Sequence, residues 1–453
     1  MGYFNKKQTH EQVFINLMNT KKWFEIEDYY RQHKDSLSVI ATNMFIAITG
    51  NAFNRPIEAL DAYDQLINMI DSNQITINEV AFIIFITNPA VQLCFDAQEH
   101  KKGEELCLRF INYFQRDTII EPDRRLEHIQ QLTRHHESFK YLQKEQKLEV
   151  IKKRGSNKGG EIKLLPDLFG NGIIFNAKWN GINLHTFFDT GVGNGGYIYN
   201  RAIAEMIGLE LNTADTVLIN GKLRCLQGIV DSLELGEFFI KNIPVTVHID
   251  TINPTDSNQV ICDSLLNLNY DIILGLPVIR QLGVVELDFV KNAMSFPPAT
   301  TTFSKRNLYI ENSGLFMNIE VCNHNFLTFF DTGGAQCLAI NTDFYEKNKQ
   351  HISIDTLERF EVSKIAGCVE ESTNYQYYYG CPQIDIKVND LPITLINDCS
   401  VAKDKENNHI LGTPEGGYLG NMIFKYCQKA TFDFDNMIFS MQGKPAIANK
   451  GID

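Results

Sequence analysis

Phe187-Phe188-Asp189-Thr190-Gly191 and Phe329-Phe330-Asp331-Thr332-Gly333 are identical pentapeptides that stand 142 positions apart in the chain. The similarity extends upstream without a gap, since residues 172–189 align with residues 314–331 and mostly place apolar residues opposite apolar ones. A single Asp-Thr-Gly triplet is uninformative, because acidic, hydroxyl and glycine residues occur together in many ordinary turns. A repeat of this length predicts two homologous units of about 140 residues, each contributing one aspartate.

The repeat continues downstream with two further pairs of segments. Ile273-Leu274-Gly275 in the first repeat matches Tyr418-Leu419-Gly420 in the second. Thirteen residues after each glycine stands an Asp-Phe pair, Asp288-Phe289 and then Asp433-Phe434. Because the segments recur in the same order and at nearly the same spacing, chance does not explain them.

This pattern resembles the aspartic proteases of the retropepsin/pepsin clan, in which two Asp-Thr-Gly lobes face each other across a cleft. The resemblance covers about two-thirds of the chain, and its short spacing is closer to a fused retropepsin-like pair than to the longer pepsin lobe. It implies a bilobal, mostly antiparallel β body, with lobe 1 at residues 161–298 and lobe 2 at residues 303–443. One departure is clear: the family usually has Ser, Thr or Ala after the triplet, whereas this chain has Val192 and Gly334.

The resemblance also implies that Asp189 and Asp331 are the catalytic dyad of an aspartic endopeptidase, which hydrolyses peptide bonds with activated water. Two carboxyl groups held together share one proton, so that one can act as base and the other as acid. The implied supporting residues of the active loops are Thr190, Gly191, Thr332 and Gly333, and the implied flap candidates are Asn220, Gly221, Ala366 and Gly367. Neither a metal nor a cofactor is predicted.

An inactive alternative stays open: a peptide-binding pseudoprotease, or a scaffold that acts through its helical domain. Retention of both aspartates favours the enzyme. Val192 and Gly334 have no side-chain donor, so we expect the dyad to hold its shared proton to higher pH than in relatives with a hydroxyl there. This predicts activity in mildly acidic to near-neutral solution.

A competing motif overlaps the first triplet. Residues 191–196 fit Gly-x-Gly-x-x-Gly, the phosphate loop of dinucleotide-binding domains, with Glu210 or Asp215 as the ribose partner. The second copy of the repeat keeps the aspartate but loses this glycine pattern. The repeat therefore favours the protease interpretation.

Residues 1–154 are predicted to form a helical, tetratricopeptide-like domain, because apolar residues recur there at three- and four-residue steps. Pro56 begins the clearest helix, whose predicted buried face is Ile57, Leu60, Tyr63, Leu66, Ile67 and Ile70. Another helix is predicted from Pro122 to near Lys153, followed by a basic, glycine-rich linker. Docking of a protein partner, support of the lobes and a simple helical cap remain alternative roles.

Composition limits the partners. The net charge of −13 and the pI near 5.4 argue against nucleic acid or an anionic membrane as partner. The expected partner, a peptide or protein substrate, is what the resemblance implies. The longest apolar run, residues 80–86, is far shorter than the roughly 20 residues of a membrane span. We expect a cytoplasmic protein if Met1 is native, and an exported one if a signal peptide was trimmed. The ten cysteines are expected to be mostly reduced and buried.

Overall fold

The structure is a computed structural model that describes residues 9–20, 22–72, 74, 82–116, 121–142, 147–152, 160–166, 172–219, 223–249, 269–299, 305–311, 313–362, 375–409 and 416–443. The chain divides into two compact units, Met1–Lys147 and Leu148–Asp453. The first unit is helical and the second is mostly β. The predicted order of a helical region followed by a β body is therefore confirmed, while the finer domain boundaries stay predictions.

The helices of the first unit begin and end at residues that suit those positions. Thr9 caps the first helix and Ser38 caps the third, each accepting a backbone N–H with its hydroxyl. The α-helices described here are α1 (His10–Asn19), α2 (Trp23–His33), α3 (Val39–Ala52), α4 (Pro56–Asp71), α5 (Asn88–Asp96), α6 (His100–Arg116) and α7 (Pro122–Leu142). Among the described residues, no helix is both long enough and apolar enough to cross a membrane.

A shared apolar core holds these helices together. Of the predicted face of α4, Leu60, Tyr63, Leu66, Ile67 and Ile70 are buried, whereas Ile57 in the first turn is half exposed. Phe139 of α7 stacks on Phe95 of α5, with ring centroids 3.8 Å apart. Gly103 of α6 lies against the Phe139 ring, and a Cβ at this position would overlap that ring. The helical periodicity of the apolar residues in the sequence thus corresponds to a packed apolar core between the helices.

The prediction that the last long helix continues to near Lys153 is wrong. Helix α7 ends at Leu142, and Glu149–Lys152 form strand β1 of the second unit. This strand pairs antiparallel with residues 238–241, Val150 lying opposite Ile240. The β-branched Val150 and Ile151 suit a strand, and a free sheet edge supplies the backbone hydrogen bonds that a helix would otherwise make.

Among its described residues, the second unit consists mostly of strands, with three short α-helices. In the first repeat the strands are β2 (Ile162–Leu165), β3 (Ile174–Trp179), β4 (Ile182–Asp189), β5 (Gly196–Ile198), β6 (Leu211–Ile219), β7 (Leu223–Leu235), β8 (Phe238–His248), β9 (Ile272–Gly275), β10 (Val284–Asp288) and β11 (Ala293–Ser295). In the second repeat they are β12 (Leu308–Glu311), β13 (Gly314–Val321), β14 (His324–Asp331), β15 (Leu338–Ile340), β16 (Glu358–Val362), β17 (Tyr375–Val388), β18 (Leu391–Ala402), β19 (Gly417–Gly420), β20 (Lys429–Asp433) and β21 (Ile438–Gln442). The short helices are α8 (Arg201–Met206), α9 (Leu276–Ile279) and α10 (Thr342–Asn348).

The two repeats have the same strand order. In the first repeat it runs β3-β4-β9-β5-β8-β7-β6, and in the second β13-β14-β19-β15-β18-β17-β16. Each order has one extra pairing, β3 with β7 and β13 with β17. Strand β4 follows a tight turn at Asn180-Gly181, where both residues have positive φ, as the Asn-Gly signal predicts. The sequence repeat therefore corresponds to a repeat of topology.

Strands from both repeats also pair directly, and an aromatic cluster lies where the repeats meet. Strand β10 pairs antiparallel with β20, Val284 opposite Asp433. Phe188 and Phe330, the second phenylalanines of the two pentapeptides, both contact Phe432 of β20, with ring centroids 5.9 and 5.5 Å apart. All three rings are fully buried, so the loops that follow Phe188 and Phe330 rest on one core.

The recurring Asp-Phe pairs have a structural role. Asp288 ends β10 and its Oδ1 accepts the backbone N–H groups of Val290 and Lys291. Asp433 ends β20 and its Oδ1 accepts the N–H of Asn436. Each carboxylate therefore fixes the turn that leads to the next strand.

Candidate active site

The two aspartates of the pentapeptides occupy equivalent places at the ends of strands. Asp189 is the last residue of β4 and pairs in parallel register with Gly275 of β9. Asp331 is the last residue of β14 and pairs in parallel register with Gly420 of β19. The two Leu-Gly segments thus lie directly beside the active loops. Both glycines are needed there, because a Cβ at either position would overlap a backbone carbonyl of the neighbouring loop.

Two threonines join the loops reciprocally. The hydroxyl of Thr190 donates to the carbonyl of Phe330 at 2.8 Å and accepts the backbone N–H of Thr332 at 3.0 Å. The hydroxyl of Thr332 donates to the carbonyl of Phe188 at 3.0 Å and accepts the N–H of Thr190 at 3.0 Å. Both threonines are fully buried. These four hydrogen bonds fix the two loops against each other away from solvent.

The glycine of each triplet brings the opposite carboxyl group close. A Cβ at Gly191 would lie 2.5 Å from Cγ of Asp331, and a Cβ at Gly333 would overlap the carboxyl group of Asp189. Each glycine N–H also donates to Oδ1 of the aspartate in its own triplet, at 2.8 Å. The two carboxyl groups are themselves within hydrogen-bond reach of each other. The structure therefore brings together all six predicted residues of the two triplets.

The close approach of the two carboxyls affects the pKa of Asp189. Burial, the negative charge of Asp331 and the hydrogen bond between the two carboxyls raise the pKa of Asp189 well above its usual value of 3.8. The backbone N–H groups of Gly191 and Gly333 act in the opposite direction and do not overcome these causes. A raised pKa is expected where two buried carboxyls lie so close that both cannot ionise.

Tyr418 is a site residue that the sequence analysis missed. Its hydroxyl donates to Oδ2 of Asp331 at 2.9 Å, while Oδ1 of the same carboxylate accepts the Gly333 N–H. The expectation that no side-chain hydroxyl would reach the dyad is therefore wrong for the second repeat. Gly334 makes room for this contact, because a Cβ at residue 334 would overlap the Tyr418 hydroxyl. The sequence signal that could have identified Tyr418 was the combination of two features: a glycine directly after the second triplet, and a tyrosine in place of an aliphatic residue before Leu419-Gly420.

The first repeat has no tyrosine at the corresponding place. Ile273 stands there opposite Tyr197 of β5, whereas in the second repeat Tyr418 stands opposite Ala339 of β15. The large and small residues of this cross-strand pair are thus exchanged between the repeats. The hydroxyl of Tyr197 lies 3.7 Å from the Sγ of Cys225. In the second repeat, the hydroxyl of Tyr418 donates to the carboxyl group of Asp331.

His409 packs against the ring of Tyr418. The two rings are stacked with centroids 3.9 Å apart and planes 18° apart. The backbone N–H of His409 donates to Oδ1 of Asn341 at 2.8 Å, which fixes the histidine in the chain. Burial lowers the pKa of His409 to about 4, so the imidazole is neutral across most of the pH range. The stack orients the tyrosine whose hydroxyl reaches Asp331.

Comparison with known proteins adds little to this geometry. No family model and no curated protein matches the chain. Among solved structures, the chain is similar to the crystal structure of a retropepsin-like aspartic protease from Rickettsia conorii. The sequence identity is 18% and the TM-score is 0.20, and the match covers 30% of this chain and 84% of that chain. At these values the similarity carries no argument, and the function has to be inferred from the site itself.

The other predictions about the site have mixed outcomes. The flap candidates Asn220, Gly221, Ala366 and Gly367 lie outside the described residues. The glycine-rich segment after Asp189 leads into strand β5 rather than into a helix, so it lacks the context that a dinucleotide loop requires. Among the described residues, no group of three or more His, Cys, Asp or Glu side chains could hold a metal ion. The eight described cysteines are free thiols, and seven of them are buried.

Proposed function

We propose that this chain is an aspartic-type endopeptidase with Asp189 and Asp331 as its catalytic dyad, in a bilobal retropepsin-like arrangement of residues 161–298 and 303–443. The observation that carries the proposal is the close approach of two aspartates on loops that Thr190 and Thr332 join reciprocally. A pair of carboxyls with a common proton is the arrangement that acid–base catalysis of peptide hydrolysis needs.

The proposed reaction uses both carboxyls and balances without another reactant. The ionised carboxylate takes a proton from water as the water oxygen bonds to the peptide carbonyl carbon, and the protonated carboxyl gives its proton to the carbonyl oxygen. The resulting diol collapses when the C–N bond breaks. The nitrogen then takes the proton that came from water, and the diol returns the other proton to the second carboxyl. The products are an acid and an amine, and the dyad is restored.

The raised pKa of Asp189 supports this chemistry. A buried carboxyl beside a carboxylate keeps its proton to a pH at which an exposed aspartic acid has lost it. Structural ion pairs also perturb pKa values, but Asp189 has a like charge as its neighbour rather than a cation. Holding two like charges together opposes folding, so the arrangement is better explained by catalysis than by stability.

The helical unit is the second part of the proposal. We assign its tetratricopeptide-like helices a docking role for a protein substrate or partner. Its described surface exposes apolar residues such as Val39, Ile57 and Leu126. The docking role is proposed from the helical pattern of the sequence, in which apolar residues recur at three- and four-residue steps.

Cleavage of a denatured protein mixture tests the enzymatic proposal directly. The wild-type chain should produce fragments, and a pepstatin-type inhibitor should suppress them. Asp189→Asn and Asp331→Asn should each reduce cleavage by on the order of 10⁴-fold. Asp390→Asn is the matched control, because Asp390 is an exposed turn residue and its replacement should leave cleavage unchanged.

Two outcomes would contradict the proposal. Cleavage that survives both dyad substitutions would come from another site or a contaminant. A folded wild-type chain that binds unfolded peptides but cleaves none across the range from about pH 3 to about pH 8 would be the pseudoprotease instead.

A further inference from the structure

We propose that Tyr418 is a positioning residue that fixes the outer oxygen of Asp331, and that it thereby makes Asp331, rather than Asp189, the carboxylate that activates water. This inference rests on the proposed endopeptidase function and adds the division of roles within the dyad. It also explains why the residue after the second triplet is glycine.

The first support is the geometry around Asp331. Oδ1 accepts the N–H of Gly333 and Oδ2 accepts the hydroxyl of Tyr418, so both oxygens of this carboxylate have a donor. A hydroxyl donor to an ionised oxygen makes a stronger hydrogen bond than one to a neutral acid. The charged member of the pair is therefore held on the side of the dyad that Tyr418 occupies.

The second support is the difference between the repeats. Around Asp189 the corresponding positions are Val192 and Ile273, whose side chains have no hydrogen-bonding group. In the second repeat, Gly334 and Tyr418 occupy these positions, and the tyrosine needs the glycine because a Cβ at residue 334 would overlap its hydroxyl. A larger residue at 334 would displace the tyrosine, while removal of the tyrosine would leave an empty space beside Asp331. Gly334 and Tyr418 together therefore substitute for a hydroxyl-bearing residue directly after the triplet.

Several other groups could influence the pH dependence of the dyad. Asp189 faces Asp331 directly, and His409 lies behind the Tyr418 ring. On the other side, Tyr199 is close enough to Asp189 for their charges to interact, and it is hydrogen-bonded to Tyr270. Apart from the two dyad carboxyls, His409 is the group among these that titrates in acid. A test of Tyr418 therefore needs a His409 variant as a control.

The main experiment is the pH profile of kcat/KM for Tyr418→Phe, which removes one oxygen atom and keeps the stacked ring. The Tyr418 hydroxyl stabilises the dyad when it holds one proton or none, because Asp331 is then ionised. It does not stabilise the dyad when both carboxyls are protonated. Its loss should therefore move the acidic limb to higher pH, by about one pH unit, and leave the alkaline limb in place. Tyr197→Phe is the matched control, since that hydroxyl lies at Cys225. A residue that only supported the fold would lower the rate without moving a limb.

A rescue experiment tests the coupling with Gly334. Gly334→Ser alone should abolish cleavage, because the new Cβ overlaps the Tyr418 hydroxyl. Tyr418→Ile copies the first repeat and should move the acidic limb as Tyr418→Phe does. Combined with Tyr418→Ile, Gly334→Ser supplies a hydroxyl beside Asp331 and should return the limb toward its wild-type position. Wild-type activity in the Gly334→Ser single variant would overturn the steric argument.

One readout does not depend on cleavage. In protein labelled with ¹³C at the aspartate carboxyl carbons, the dyad should titrate at higher pH in Tyr418→Phe than in the wild type. An unchanged titration, or a shift that His409→Gln reproduces, would overturn the inference even in an active enzyme. A wild-type chain that cleaves nothing yet shows the predicted shift would refute the proposed function and leave the role of Tyr418 intact. If Tyr418→Phe does not fold, Tyr418→Ile with Ala339→Tyr exchanges the large and small residues and gives the same test.

Discussion

Thr190 and Thr332 exchange hydrogen bonds in both directions, each hydroxyl accepting the other residue's backbone N–H at 3.0 Å. The same hydroxyls donate to the carbonyls of Phe330 and Phe188, so each side chain satisfies two backbone groups of the opposite repeat. These backbone groups are buried and cannot form hydrogen bonds with water instead. The separation of the two aspartates is therefore set by these threonines and by the phenylalanine core beneath them.

Replacing one threonine should loosen the whole dyad. Thr190→Val keeps the shape but leaves the Phe330 carbonyl and the Thr332 N–H without their partner, which should lower the free energy of unfolding by about 2 kcal/mol or more. Cleavage should fall with it. Chemical denaturation and a cleavage assay measure the two effects. Thr190→Ser keeps the hydroxyl and should retain most of the stability and most of the cleavage. Equal losses in Thr190→Val and Thr190→Ser would contradict the role given to the hydroxyl.

Removing one carboxyl should stabilise the protein at neutral pH. Burial and the charge of Asp331 raise the folded-state pKa of Asp189, so between its usual value of 3.8 and that raised pKa the folded chain binds more protons than the unfolded chain. Stability therefore falls as pH rises through this window. Asp189→Asn cannot ionise and should raise Tm at neutral pH, with the gain vanishing below about pH 3.8.

The control for this experiment is again the exposed residue Asp390. Asp390→Asn replaces an exposed turn residue and should leave Tm close to that of the wild type. Thermal unfolding of both variants at several pH values makes the comparison. An Asp189→Asn protein less stable than the wild type at neutral pH would show that the carboxylate supports the fold.

A methyl group in the first triplet should disrupt the site. Gly191→Ala places a Cβ 2.5 Å from Cγ of Asp331, so the carboxyl or the loop has to move, at a cost of about 1–3 kcal/mol. Cleavage should fall by far more than stability, because acid–base catalysis depends on the separation of the two groups. Gly160→Ala is the control, since nothing lies within 4 Å of its Cβ position. Full activity in Gly191→Ala would argue against the close approach of the carboxyls.

The pH dependence of cleavage by the wild-type chain is a further test of the proposed function. The argument from missing hydroxyls now applies only to Val192, because Tyr418 donates to Asp331. The raised pKa of Asp189 still predicts that the shared proton survives into mildly acidic or near-neutral solution. A kcat/KM profile should show activity at about pH 6. A single optimum at about pH 3, with no activity at about pH 6, would contradict this prediction.

Truncation tests where the β unit begins. A chain that starts at Leu148 keeps strand β1 on the edge of β8 and should be soluble and monodisperse. A chain that starts at Gly160 loses that strand, exposes residues 238–241 of β8, and should be less stable and more prone to aggregate. Denaturation and size-exclusion chromatography compare the two proteins. Equal behaviour would mean that β1 contributes nothing to this unit.

Most of the site's inner part was predictable from local sequence. The identical pentapeptides required the same turn twice, since strand, aspartate, hydroxyl and glycine are neighbours in the chain and their geometry is local. The Asn180-Gly181 hairpin was predictable for the same reason, because both residues adopt positive φ readily. By contrast, Val150 and Ile151 fitted the preceding helical pattern as well as a strand. Their partner, β8, lies about 90 residues further along the chain.

The amino-acid sequence by itself determined that the chain carries two equivalent aspartate loops, because a repeated local pattern needs no knowledge of distant contacts. The tertiary structure alone decided how the two loops differ. Tyr418 and Asp331 are 87 residues apart, and only the parallel pairing of β14 with β19 brings the hydroxyl to the carboxylate. Whether a tyrosine in that segment packs or donates depends on the space left at Gly334, and such space exists only in the folded chain.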